Sequence, residues 1–116
     1  AWGVEFFPAA EVHRSGVGPV IDRIGAGEDV VICFDADALD PAIVPGVIGR
    51  APGGLGYFQA LDLIQGAAGK GRIAAMDLVE YLPEADVDGI GALTLSRLLI
   101  FALAIIARQE AGMPVA

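Results

Sequence analysis

Apolar and polar positions divide this chain into runs of two periods. Residues 30–34, Val-Val-Ile-Cys-Phe, are apolar without interruption and led by β-branched side chains. A run of that length without alternation predicts a strand covered on both faces, as in a parallel sheet. Residues 72–80 repeat the grammar, apolar positions closing on an acid, Glu80. Between the two, residues 57–68 set Ala60, Leu61, Leu63 and Ile64 at helical spacing, with Gly69 at the end. Residues 90–106 do the same with Leu93, Arg97, Leu98, Phe101 and Ile105.

Nearer the start, residues 3–7 form a short apolar piece stopped by Pro8, which predicts another strand. Residues 11–24 point Val12, Val20, Ile21 and Ile24 inward from a helix broken at Gly16 and Gly18-Pro19. Its second piece is expected to begin near Pro19, since proline suits a first helical turn. Strand, helix, strand, helix, strand, helix predicts an α/β layer with a parallel sheet.

The chemistry gathers where the first central strand stops, at Asp35 and Asp37. In extended chain, residues i and i+2 point to one side, roughly 6.5–7 Å apart at the backbone. The carboxyl end of a strand is where open α/β sheets keep their sites. Two neighbouring carboxylates repel unless a cation or a shared proton intervenes, which makes the pair a metal candidate. Aspartates also close strands simply by capping turns, and an isolated Asp-x-Asp does not separate the two roles. A stiff loop comes next, marked by Asp40-Pro41, Pro45-Gly46 and Pro52-Gly53-Gly54. Such loops position sites.

Other candidates are weaker. An EF-hand is excluded, because Asp40 stands where its loop needs Gly and Gly46 where it needs Glu. Gly69-Lys70-Gly71-Arg72 lacks the Gly-Lys-Ser/Thr of a phosphate loop and reads as a turn. His13, the single histidine, is expected to be a partly exposed helical residue rather than a ligand. Cys33 lies in the apolar run and is expected to be an inert core thiol. Asp77 lies inside the second strand, where a buried carboxylate requires a partner. Glu80 is either a third acid at the same rim or a helix-capping surface residue.

The stretch Phe34-Asp35-Ala36-Asp37-Ala38-Leu39-Asp40-Pro41-Ala42, then Pro45-Gly46, then Pro52-Gly53-Gly54-Leu55, resembles the pattern of the arginase/agmatinase (ureohydrolase) family. Met76-Asp77-Leu78-Val79-Glu80-Tyr81-Leu82-Pro83 resembles the family's later Asp-x-x-Glu-x-x-Pro segment, in the right order and at the right separation. The resemblance covers most of this chain but only the C-terminal part of a family member. It implies a partial doubly wound parallel sheet with flanking helices, residues 1–116 forming the C-terminal portion of a single α/β domain.

It implies further a binuclear manganese site that hydrolyses a guanidino substrate of the agmatine or arginine type to urea and an amine. Asp35 matches the acid that bridges both metals, Asp37 the acid that binds one, and Glu80 the acid that pairs with the substrate guanidinium. The family's other ligands, a His and an Asp-x-His-x-Asp block, are absent, and so is its proton-shuttling His; no catalytic residue is identified within the chain. The chain alone is therefore expected to be inactive. Tyr81-Leu82 also replaces the usual Val-Asn, and Gly91 stands where Thr is common. The rivals are an amide deacetylase on the same fold, against which the Asp40–Gly54 loop argues, and a non-catalytic interaction protein on the same scaffold.

Composition adds partners. The chain has 116 residues, enough for one domain, and is 55% hydrophobic with only 19% charged residues. A small domain needs more polar cover than that, so the excess is read as surface for other parts of a domain or for a homo-oligomer. The formal net charge of −8 disfavours nucleic acid, which is bound chiefly by neutralising phosphates. A lone cysteine and no leader pattern suit a reducing cytoplasm. The ten-residue apolar run 98–107 fits a buried helix or subunit interface better than a bilayer span.

Overall fold

A computed structural model describes residues 2–115. Its order is α1 (Ala9–Ser15), α2 (Gly18–Ile21), β1 (Asp29–Asp35), α3 (Tyr57–Lys70), β2 (Arg72–Val79) and α4 (Ile90–Glu110), with short 3-10 turns at Ala36–Ala38 and Pro83–Ala85. The two strands pair in parallel, Asp29 beside Arg72 at one end and Asp35 beside Val79 at the other. Helix α3 is the crossover between them, which a parallel pair requires. The register slips by one residue after Val30, which is paired with Ile73, while Val31 is paired with Ala75. Ala74 is the bulged residue, and Ala74 and Ala75 are both exposed in consequence.

One face of this sheet carries the core. Ile32, Ile73 and Met76 meet Ile64 and Ala68 of α3 and Ala102 and Ile105 of α4. Phe34 and Leu78 meet a second cluster of Ala36, Leu39, Val44, Val47, Ala60, Leu95 and Leu98. The helices that bury these strands thus lie side by side on one face. Gln109 of α4 stitches that layer to the β2 edge: its amide donates to Ala68 O and Gly71 O at 2.9 and 2.8 Å and accepts from Ile73 N at 3.0 Å.

The opposite face is open, and here the apolar run misled. β1 alternates exposed and half-buried along its whole length, with Val31 65% exposed. Cys33 is exposed rather than a core thiol, and Asp77 shares that open face rather than being buried. Uninterrupted hydrophobicity encodes two covered faces, and the described residues cover one. The expected strand at residues 3–7 is also absent: the segment is irregular, with Trp2, Val4 and Phe6 exposed. A strand needs a hydrogen-bonding neighbour, and this segment pairs with neither β1 nor β2.

Other expectations hold. The broken helix is two helices, with Pro19 in the first turn of the second and Val12 buried. α4 runs 21 residues, past the apolar stretch, and by length and composition it could cross a membrane. Its buried positions Leu95, Leu98, Ala102 and Ile105 are nevertheless those that face the core, while Leu93, Ile100 and Leu103 stay exposed.

Candidate functional site

Both strands end at one rim. Because Asp35 is paired with Val79, Glu80 leaves the sheet one residue beyond the partner of Asp35. Asp37 reaches the rim differently from the expectation. The chain turns into a 3-10 helix at Ala36–Ala38, so strand alternation, on which a shared side for Asp35 and Asp37 depends, stops at Asp35. Ala36 is fully buried there and anchors the turn, leaving Asp35 exposed and Asp37 half-buried. Gly49 approaches Asp37 closely enough that a Cβ on it would stand 3.4 Å from Oδ2.

The loop between Leu39 and Leu55 is closed at its neck. Asp40 N donates to Leu55 O at 3.0 Å and Leu55 N to Ala38 O at 2.9 Å. Asp40 holds the loop from inside: Oδ1 accepts from Ala42 N at 2.9 Å and Oδ2 from Gly53 N at 2.8 Å. Those backbone donors, Ala42 first and Gly53 next, hold its carboxyl below the ordinary range. His13 clasps the same neck from α1, its Nε2 donating toward Gly53 O at 3.1 Å and Gly54 O at 3.0 Å. Gln59 fixes that arrangement, since its Oε1 accepts from Gly56 N at 2.9 Å and its Nε2 is left to donate to His13 Nδ1 at 3.3 Å. The histidine is exposed on its helix, as expected, but it braces the loop.

The second exit is braced by Asp86. Its Oδ1 accepts from Val87 N and Gly91 N at 2.9 Å each, and its Oδ2 from Ala92 N at 3.0 Å and the Tyr81 hydroxyl at 2.9 Å. Burial alone pushes this carboxyl up, and the four donors together overcome it, so that it titrates below the ordinary range. The same contact raises the Tyr81 phenol. Asp86 caps α4 in place of the residue at the helix start, Gly89, which has no side chain. A Cβ on Gly91 would lie 2.7 Å from Asp86 Oδ1, which accounts for glycine at that position. Arg50 joins the two loops, donating to Pro45 O and to Ala85 O at 2.8 Å each.

The bracing roles of Asp40, Tyr81, Asp86 and Arg50 escape a reading of the sequence. Asp-Pro-Ala carries a signal for the first, because an Asp side chain bonding two residues onward is a turn motif. The others depend on contacts across the fold. Asp77 does have a partner, accepting from Phe34 N at 3.2 Å. Its charge is the main reason that the neighbouring Cys33 thiol titrates high.

No group of three or more His, Cys, Asp and Glu side chains that could hold a metal occurs among the described residues. The donors at the rim, Asp35 and Asp37, are carboxylate oxygens of the kind that hard divalent ions take. They fit such an ion in kind and fall short of enclosing it in number.

A parallel α/β layer with helices on the strands, and acids collected at the carboxyl ends of its strands, defines the class. The arginase family model matches residues 1–104, and the chain belongs to the arginase family. It is 42% identical over 82 residues to the N(1)-aminopropylagmatine ureohydrolase of Thermus thermophilus, covering 70% of this chain and 28% of that protein. It is 41% identical over 108 residues to the mitochondrial agmatinase of Gallus gallus, covering 90% of this chain and 31% of that one. The crystal structure of a hypothetical agmatinase from Burkholderia thailandensis superposes with a TM-score of 0.85 at 31% identity, covering 96% of this chain and 36% of the other. The chain thus spans about a third of the length of these relatives.

Proposed function

We propose that this chain is the C-terminal part of a ureohydrolase, contributing a carboxylate rim to a manganese site that cleaves a guanidino C–N bond. The observation that carries this is the pairing of Asp35 with Val79, which brings Asp35 and Glu80 out at one rim of a parallel sheet. Asp35 and Asp37 would hold metal, and Glu80 would hold the substrate. A carboxylate suits a planar guanidinium because both can align in paired, charge-assisted hydrogen bonds. When bound, divalent ions supply Lewis-acid activation of water for attack at the guanidinium carbon. The chain's own residues orient that chemistry, Asp35 from a strand end, Asp37 from a 3-10 turn and Glu80 from the exit of β2.

Two six-coordinate ions need many more ligands than two aspartates provide. The 116-residue chain with added manganese is therefore expected to release no urea from agmatine or arginine. Manganese titration followed by electron paramagnetic resonance tests the metal role. Weak binding that disappears in Asp35→Asn and Asp37→Asn supports it, and identical binding in all three chains overturns it. Self-association belongs to the same reading, because α4 presents Leu93, Ile100 and Leu103 outward, at 55%, 63% and 56% exposure. Light scattering showing a stable monomer at micromolar concentration would remove that part.

A further inference from the structure

Glu80 sits in a conformation its own side chain does not favour. Its φ is +66°, in the left-handed region where a Cβ crowds the following carbonyl oxygen. Alternation along β2 shows what this achieves. Met76 and Leu78 face the helices, while Asp77 and Val79 are exposed. Continued extension would carry Glu80 under the helices with Met76 and Leu78, where an unpaired carboxylate is costly. The left-handed residue breaks the alternation. Glu80 comes out exposed, and Tyr81 takes the inward place, packed with Leu78 against the cluster of Leu39, Val44, Leu95 and Leu98.

Tyr81 and the residue after it are held at three points. Its ring lies against Gly46, where an added Cβ would stand 2.7 Å from Cε2. Its hydroxyl donates to Asp86 Oδ2 at 2.9 Å, a carboxylate already fixed by the backbone of α4. The next residue, Leu82, donates its N–H to Gly46 O at 2.7 Å. A strained residue persists only when its surroundings over-determine it, and here the surroundings grip its immediate neighbour.

We infer that Tyr81 is a positioning residue for Glu80: the ring seated on Gly46 and the hydroxyl on Asp86 hold Glu80 left-handed and present its carboxylate to a guanidinium. This rests on the proposed function, in which Glu80 meets the substrate. Tyr81 touches no reacting group and acts through Glu80 alone.

The test uses the full chain with labelled glutamate side-chain carboxyls, methylguanidinium as the probe, and nuclear magnetic resonance. Two quantities are read: the saturable shift of the Glu80 carboxyl on titration, and the amide–Hα coupling that reports its φ. Glu80→Gln supplies the blank. In Tyr81→Phe, with amide signals outside residues 79–92 unmoved, binding at Glu80 is expected to weaken about threefold or more, the fold-change one modest hydrogen bond carries. The coupling should move toward its value in extended chain. Asp86→Asn gives a second route if the first variant loses its fold, since it weakens the acceptor and leaves the ring in place. Unchanged affinity and coupling in the variants would overturn the positioning role and leave the role of Glu80 standing. A wild-type chain whose Glu80 does not respond to methylguanidinium would overturn the substrate role of Glu80, and this inference with it.

Discussion

The two faces of the sheet are built from the same two strands, at alternate residues, and have opposite fates. Ile32, Phe34, Met76 and Leu78 lie under α3 and α4, while Val31, Cys33, Asp77 and Val79 lie in the open. Both sets are largely apolar, and only one has a partner among the described residues. Hydrophobicity along a strand therefore records how a face is to be covered, and the cover itself can belong elsewhere. Asp35 continues the open series of β1 to the rim, and Glu80 comes out exposed at the same rim.

The largest effect should come from the covered face. Leu98 of α4, fully buried in the cluster with Leu39, Val44 and Val47, loses its contacts in Leu98→Ala, and unfolding by denaturant should show a loss of about 2–5 kcal/mol. A smaller and pH-dependent loss should come from the two braces. Asp40 and Asp86 titrate below their ordinary range in the folded chain. Their contribution is thus present above about pH 4 and is lost as pH falls through the lowered folded values. Thermal melts between neutral and strongly acidic pH should show that loss for the parent chain, and a shallower one in Asp86→Ala.

At Glu80 the two faces exchange roles, and glycine should relieve the left-handed backbone there. Glu80→Gly is expected to raise stability by about 0.5–1 kcal/mol while removing the rim carboxylate. The smallest effect belongs to the open face. Val31→Thr should change stability by no more than about 0.5 kcal/mol in a monomeric chain, and Cys33 should react slowly but completely with a thiol reagent, slowed by the charge of Asp77. A cost above about 1 kcal/mol, or a thiol that resists labelling until the chain unfolds, would mean that the open face is covered in solution.

Much of this is legible in the sequence, for reasons that differ by residue. The two central strands, the helix spacing and the Pro19 boundary are local and stand where periodicity puts them, whereas the strand expected at residues 3–7 fails for want of a neighbour to pair with. Asp35 and Glu80 at one rim follow from two similar strands joined by a crossover long enough for a helix. A shared side for Asp35 and Asp37 presupposes an extended chain, and the turn at Ala36–Ala38 replaces that geometry because Ala36 enters the core. Cys33 and Asp77 read as buried because nothing in a single strand says which of its faces receives a helix. Tyr81 and Asp86 cannot be read at all, since their meaning lies in Gly46 and in the start of α4. Family motifs single out these acids, and packing decides where each one stands.

The pinched neck at Leu39 and Leu55 has an engineering consequence. Within it, Val44, Pro45, Gly46 and Val47 are sunk in the core, whereas Ile48 through Gly53 are exposed. The feet of the loop are tied by the paired backbone of Ala38, Asp40 and Leu55. The outer half is tied in turn by Gly53 to the Asp40 carboxylate and by Arg50 to Pro45 and Ala85, which leaves Ala51 and Pro52 between the ties. A tag or binding peptide spliced between Ala51 and Pro52 would hang from a fixed hinge, and doubling the length of the span should cost only about 0.6 kcal/mol. The protein carries a ready socket there for foreign sequence.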